Sequence, residues 1–336
     1  MRTPAAWCRG VRHPEAFHGV GVTKEFFEGW YIKIVSADLS QRWAVIPGIF
    51  RGLGSASGTD TRDEAFVQVL DGITGRAWYH RYDVSEFEAS DDHFEVRVGP
   101  NRFSAAGAHL ETPQLTGDIN FTTELDPWPV TLSAPGAMGW YGHVPFMECF
   151  HAVVSFGHGL DGTLEVEGTK QSFAGGRGYI EKDWGQAFPD AYIWLASNHI
   201  DTAPDASLIG SVAVIPWLGG AFRGFLFGLK HGGKLYRWST YNRAREVRLE
   251  VDDTHVRWSL TGKDGTLELE ATRVRGGLLM APQRHAMLER VEETLDARVH
   301  VKHSDAQGRV LLEGTALATG LEVVGDIDRL KGLKTK

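Results

Sequence analysis

Short runs in which apolar and polar residues alternate recur along the whole chain, and an alternation of period two is the mark of half-buried β-strands. From Glu25 to Val35, Phe26, Glu28, Trp30, Ile32 and Ile34 fall on one face, and Phe27, Tyr31, Lys33 and Val35 on the other. Arg42 to Phe50 is a second strand, ending at Pro47-Gly48, and residues 52–63 form a Gly/Ser/Thr loop. Ala65 to Leu70 and Ala77 to Tyr82 read as a hairpin that leaves its first strand through Asp71-Gly72. Strands follow at Phe94 to Val98 and Leu115 to Thr122, then a long loop from Asp126 to Pro145 rich in Pro, Gly and Trp. Phe146 to Phe156 returns to strand, with Phe146, Glu148, Phe150 and Ala152 on one face and Met147, Cys149, His151 and Val153 on the other. Asp161-Gly162 is expected to turn the chain into another strand, Thr163 to Gly168.

The stretch from Gly178 to Asn198 stands apart. Glu181, Lys182 and Asp183 lie consecutively inside an aromatic and aliphatic run, and such a charge cluster is costly to bury unless its members pair. Pro189 breaks the run, giving a strand up to Trp184 and a second from Ala191 to Ile200, in which Tyr192, Trp194, Ala196 and Asn198 share a face. The remainder is a meander, with strands at Ser207 to Pro216, Ala221 to Lys230, Lys234 to Thr240 and beyond; only Gln283 to Glu293 has helical character. The pattern predicts an all-β chain of barrel or sandwich type, long enough for two domains, drawn here at 1–188 and 189–336.

Composition narrows the partners. A formal charge of -8 with scattered Lys and Arg excludes nucleic acid as an expected ligand, because phosphate binding needs a clustered basic surface. Two cysteines, Cys8 and Cys149, cannot make a disulfide framework, and no run has the length and apolarity of a membrane span or signal peptide, so a cytoplasmic, reducing location is expected. Eleven tryptophans suit the lining of an apolar pocket as well as they suit a core.

No phosphate loop, paired-cysteine zinc spacing or nucleophile elbow occurs, and no metal ligand set is legible. What remains is carboxylates facing aromatics: Glu28, Glu148, Glu181 and Asp183. A carboxylic acid in an apolar pocket stays protonated at neutral pH and can donate to an alkene, with ring faces stabilising the cation that forms. The competing reading is that these carboxylates are neutralised by Lys33, Lys182 or arginines as structural pairs, with His151 a hydrogen-bonded structural residue and Trp30 core.

Phe27-Glu28-Gly29-Trp30-Tyr31-Ile32-Lys33, Ile46-Pro47-Gly48, Pro145-Phe146-Met147-Glu148-Cys149, Gly178 to Pro189 and Trp194 with Asn198 together resemble the tocopherol cyclase family in its bacterial form. Leu279-Met280-Ala281-Pro282 and Gly320 to Gly325 look like its C-terminal blocks. The resemblance implies two lipocalin-like β-barrels, 1–188 and 189–336, and a cofactor-free reaction without a metal: protonation of the tail alkene of a prenylated quinol, then phenol attack to close a chromanol ring. On that basis Glu28 and Glu148 are the leading acids, with Asp183 and Glu181 next. Trp30, Trp184 and Trp194 shield the cation, Lys182 or His151 holds the phenol, and Tyr31 and Asn198 complete the substrate wall. The implied partner is a hydrophobic isoprenoid, with contact to a membrane surface left open. A carotenoid-type hydratase, with water as nucleophile, and a non-catalytic carrier of an apolar ligand are the alternatives. Two positions depart from the pattern: the plant form carries Asn where Asp183 stands, and members often have Gln where Ala196 stands.

Overall fold

The computed structural model describes residues 4–53 and 63–335, so the loop expected at 52–63 lies for the most part outside the described residues. The chain folds as two compact units: Met1–Asp71, Ala77–Phe188 and Leu279–Arg290 make up the first, and Gly72–Arg76, Pro189–Leu278 and Val291–Lys336 the second.

The strands of the first unit are β1 (Phe26–Val35), β2 (Arg42–Arg51), β3 (Glu64–Asp71), β4 (Ala77–Tyr82), β5 (Phe87–Ala89) and β6 (Glu95–Val98). After them come β7 (Asn101–Ser104), β8 (Gly107–Glu111), β9 (Leu115–Phe121), β10 (Cys149–Val166), β11 (Thr169–Ser172) and β12 (Gly176–Gly185). They form one sheet in the order β4-β3-β2-β1-β12-β10-β9-β8-β7-β6-β5, with β11 paired to β10. The sheet curls nearly closed around a single core that takes Trp30, Ile32 and Ile34 from β1, Trp43 and Val45 from β2, and Phe103 and Leu160 from the far side. Alternation on β1 is therefore what sends Glu28 and Trp30 inward and Tyr31 and Lys33 outward.

The second unit contains β13 (Tyr192–Ser197), β14 (Ser207–Trp217), β15 (Gly220–His231), β16 (Lys234–Ser239) and β17 (Arg245–Val251). β18 (His255–Gly262), β19 (Gly265–Thr272), β20 (Gly277–Pro282), β21 (Met287–Ser304) and β22 (Val310–Val324) follow in the chain, β20 from Leu279 and β21 as far as Arg290 being counted with the first unit. Their order is β16-β15-β14-β13-β22-β21-β19-β18-β17 with β20 on β21, around a core that includes Ile193, Leu195, Phe227, Trp258 and Val299. The architecture is all-β and lipocalin-like, as the alternation and the resemblance led us to expect.

Three expectations are corrected and one element is added. The lead before β1, to which the alternation assigns no element, contains α1 (Pro4–Arg12), its last turn carrying Arg9 and Arg12, which favour a helix C-terminus. Gln283 to Glu293 is no helix. Gln283 N–H donates to Ala286 O to close a turn, and β21 then runs from Met287, with Val291, Glu293 and Leu295 buried in alternation with exposed Glu292. Asp161-Gly162 does not turn the chain, because β10 passes straight through it; Gly162, at φ 136°, lies opposite Ile119, where a Cβ would meet Asp118 O at 2.3 Å. Glu148 precedes β10 rather than lying on a strand face. Among the described residues no helix is long and apolar enough to cross a membrane.

Candidate active site

Three neighbouring strands, β1, β12 and β10, carry most of the chemistry, and their register sorts it. Glu28 lies opposite Trp184 and Trp30 opposite Lys182 on β12, which in turn face Phe150 and Ala152 on β10. One residue along, Gly29 lies opposite Asp183 and Tyr31 opposite Glu181, and these face His151 and Val153. Because side chains of a strand point alternately to its two faces, the Glu181-Lys182-Asp183 run is divided: Lys182 goes inward with Glu28, and Glu181 and Asp183 go outward with His151.

On the inner side Glu28 and Lys182 are both fully buried and form an ion pair of 2.5 Å. His18 N–H donates to both carboxylate oxygens of Glu28 at 2.9 Å, and the His18 ring lies between the pair, with Nδ1 3.1 Å from Glu28 and 2.8 Å from Lys182. Lys182 also donates to Pro14 O at 3.1 Å and to Ala16 O, which ties the lead to the barrel. Its ammonium lies 4.7 Å from the Trp30 ring and 4.8 Å from that of Trp184, and Trp184 is stacked between His18 and Phe150. Burial favours the neutral acid, but Lys182 and His18 outweigh it and hold the Glu28 carboxyl below its ordinary value. Glu28 is thus a compensated anion rather than an isolated carboxylic acid, and the cation that Trp30 and Trp184 face is Lys182. Lys182 itself is committed to three acceptors and has no donor left for a phenol.

The outer side holds a different set. His151 Nδ1 donates to Asp183 Oδ1 at 3.0 Å, and Nε2 lies 3.9 Å from Glu181 Oε2. Tyr179 donates to Glu181 at 2.6 Å. Burial works against an imidazolium here, yet Asp183 and Glu181 prevail and push His151 up to about 9, so it is charged at neutral pH. Among the described residues, its buried Nε2 has no hydrogen-bond acceptor. Cys149 Sγ lies 4.0 Å from Asp183 and packs on an apolar cluster of Phe27, Phe50, Phe66 and Met287, with Phe188 and Met280 at its margin. Gln68 fixes the segment bearing Met280 by bonds of 2.9 Å to both its N–H and its carbonyl. Gly29 leaves the β1 end of the Asp183 row bare, and opposite it Gly48 yields to the Phe66 ring, which would lie 2.4 Å from a Cβ. One ligand atom from each of His151, Glu181 and Asp183 falls within 4.8 Å of the others, so these are the residues that would hold a divalent cation; in the protein as described they bond to one another and to Tyr179.

The structure thus brings His151, Glu181 and Asp183 together with Tyr31 alongside, and places Glu28, Lys182, Trp30 and Trp184 behind them on the opposite face. Glu148 is engaged elsewhere, 2.7 Å from the half-exposed guanidinium of Arg284. Trp194 and Asn198 belong to the second unit, where both are buried and Trp194 lies opposite Glu322 on β22. Sequence reasoning missed His18, Tyr179 and Cys149 as members of these sets. Tyr179 carried a signal, being two residues from Glu181 on the same strand face, whereas nothing in the lead marked His18.

The fold places the protein among lipocalin-like chains with two antiparallel sheets. CghA, at 12% identity and a TM-score of 0.54 over 90% of this chain and 89% of that one, shares it. So does kievitone hydratase from Nectria haematococca, at 10% identity and a TM-score of 0.50, covering 89% of each chain. Within that class the chain belongs to the tocopherol cyclase-like family, whose model matches residues 106–325. It is similar to the chloroplastic tocopherol cyclase of Zea mays, 23% identical over 96% of this chain and 80% of the maize protein.

Proposed function

We propose that the protein is a tocopherol cyclase-like enzyme that closes a chromanol ring on a prenylated quinol by proton transfer alone, at the outer face of β1, β12 and β10. The observation that carries this reading is His151: a charged imidazole, oriented through Nδ1 by Asp183, whose buried Nε2–H has no acceptor among the described residues, while Asp183 lies 4.0 Å from Cys149 at the margin of an apolar cluster. A buried donor without a partner is costly, and a substrate in that position would satisfy it.

In the proposed reaction the His151 proton moves to the less substituted carbon of the tail alkene while the phenol oxygen bonds to the more substituted one. Protonation and ring closure proceed together, so a full tertiary cation need not stand free beside an imidazole. The phenol proton passes to Glu181, the carboxylate nearest Nε2, and returns to His151 after release. One C–H and one C–O bond form, the alkene π bond and the phenol O–H bond break, and no electrons are exchanged. Asp183 acts as a positioning residue. The Asn of the plant form would still accept the Nδ1–H bond, so the departure at this position fits the role.

Incubation with a geranylgeranyl or phytyl quinol and no added cofactor is expected to give the chromanol, carrying one deuterium at the protonated carbon when run in D2O. His151→Gln is expected to lose at least about a hundredfold in turnover, in the range of general-acid contributions, and Asp183→Asn to keep activity at acid pH with the basic limb of its profile moved below that of the wild type. Recovery of unchanged quinol from the folded wild type refutes the reading, and a product heavier by one water would assign a hydratase instead.

A further inference from the structure

We propose that the loop between β9 and β10 is a lipid-docking surface, through which the protein rests on an uncharged or zwitterionic membrane and takes up its apolar substrate. The inference rests on the proposed function only for the identity of that substrate. Residues 127–147 contain no Asp, Glu, Lys or Arg in a chain that is 23% charged, and His143 is their one titratable imidazole. A soluble loop of that length normally keeps charges at its surface. This one instead presents Leu132 at 86% exposure, Phe146 at 63%, Trp140 at 44% and Val130 at 38%.

The exposed groups are held by a built framework. Trp128, Tyr141 and Met147 are buried, and Trp128 N–H donates to Val153 O while Phe156 N–H donates to Asp126 O, fastening the base of the loop to β10. Leu132 sits at the tip of a tight turn in which Val130 bridges Pro135 and Thr131 and Ala134 bond each other. His143 Nε2 donates to Leu132 O at 3.0 Å, so the tip is tied to the 3-10 turn Gly136–His143 that bears Trp140, stacked on Tyr141. An apolar tip flanked by Trp and Tyr is the composition of an interfacial anchor.

The inner side of the same loop closes over the strand that carries His151. Pro135, Met138 and Gly142 form one wall of a small pocket whose other walls include Phe150, His151 and Trp184. One segment thus offers apolar side chains to the outside and lines a small hollow on the inner side of the sheet, beside His18 and Trp184. The absence of charge also selects the partner. With no cation in the loop and a net charge of -8, attraction to anionic lipid does not contribute, and docking depends on buried apolar area.

The test is co-flotation with phosphatidylcholine vesicles, with and without phosphatidylserine, at low and high salt. The wild-type chain is expected to float with pure phosphatidylcholine and to be indifferent to salt. Leu132→Ser and Phe146→Ser are each expected to lower partitioning about tenfold and the double variant about a hundredfold, the loss of one or two buried apolar side chains. Chromanol formation from a short-tailed, detergent-dispersed quinol should be unchanged in the double variant, since neither residue lies in the proposed site. Wild type that stays with the soluble fraction, variants that float as well as wild type, binding only to anionic vesicles at low salt, or a dimer broken by the double substitution would each overturn the proposal. Vesicle binding by a wild type that turns over neither substrate would leave docking standing and remove the cyclase reading.

Discussion

Replacing Lys182 by Met keeps the length and apolar stem of the side chain and removes the ammonium from a site that is fully buried on both sides of the pair. Glu28 would then keep only the His18 contacts, while Pro14 O and Ala16 O would lose a donor. Breaking a buried ion pair by removing one partner costs about 3–5 kcal/mol, far more than the pair is worth against an apolar replacement, because a desolvated charge is left behind. For a unit of this size the loss corresponds to a fall of about 6–20 °C in Tm. Urea unfolding at pH 7 measures it directly. The pH dependence supplies a second readout. The Glu28 carboxyl is held below its ordinary value of 4.5 in the folded protein, so its contribution is complete above the unfolded value and is lost as pH falls through the folded one. Without Lys182, burial dominates and the carboxyl takes up a proton more readily, so the gap between variant and wild type should narrow on acidification. Adding Glu28→Gln to Lys182→Met should recover at least about half of the loss, a coupling that a double-mutant cycle isolates. A Lys182→Met protein within about 1 kcal/mol of wild type at pH 7, or a gap that does not respond to acid, would refute the account of the inner side.

Turnover should hold across neutral pH and decline above about 9, as His151 loses the proton that Asp183 and Glu181 retain there; a pH–rate profile with its basic limb near 6.5 would contradict this. The stabilising part of the same shift is complete below the unfolded imidazole value and disappears as pH rises through about 9. Gly48→Ala should destabilise by about 2 kcal/mol or more because its Cβ would meet Phe66 and Glu28 O at 2.4 and 2.7 Å, whereas Gly29→Ala, with no contact under 3.6 Å, should cost less than about 1 kcal/mol; thermal melts of the two separate them. Glu148→Gln should change stability by less than about 1 kcal/mol, its Arg284 partner being half-exposed, and should leave chromanol formation intact.

The strands were legible because each buried face writes a period-two pattern, and β1 is the clearest case: Glu28 and Trp30 were placed on one side and Tyr31 on the other from alternation alone. The same rule applied to residues 181–183 would have separated Lys182 from its neighbours, but which partners each would meet depends on register with β1 and β10, some thirty to one hundred and fifty residues distant. Charge compensation was therefore the part that sequence concealed. His18 reaches Glu28 from the lead, and Arg284 reaches Glu148 from a segment that the meander pattern assigned to the second half of the chain and that belongs to the first unit. An acid on an apolar face looks the same whether or not a lysine stands behind it. The Gln283 to Glu293 stretch misled for a related reason, since its charged residues fit a helix face as well as the exposed side of a twisted strand.

The division of Glu181, Lys182 and Asp183 between two faces bears on how this chain can change. A single-codon insertion or deletion within β12 upstream of Glu181 would transpose the two sets, sending the Lys182 ammonium to the face of His151 and the Glu181 and Asp183 carboxylates to that of Glu28. Length variation in the family should accordingly be absent from this strand and confined to the turns on either side of it, even where the residues themselves are exchanged.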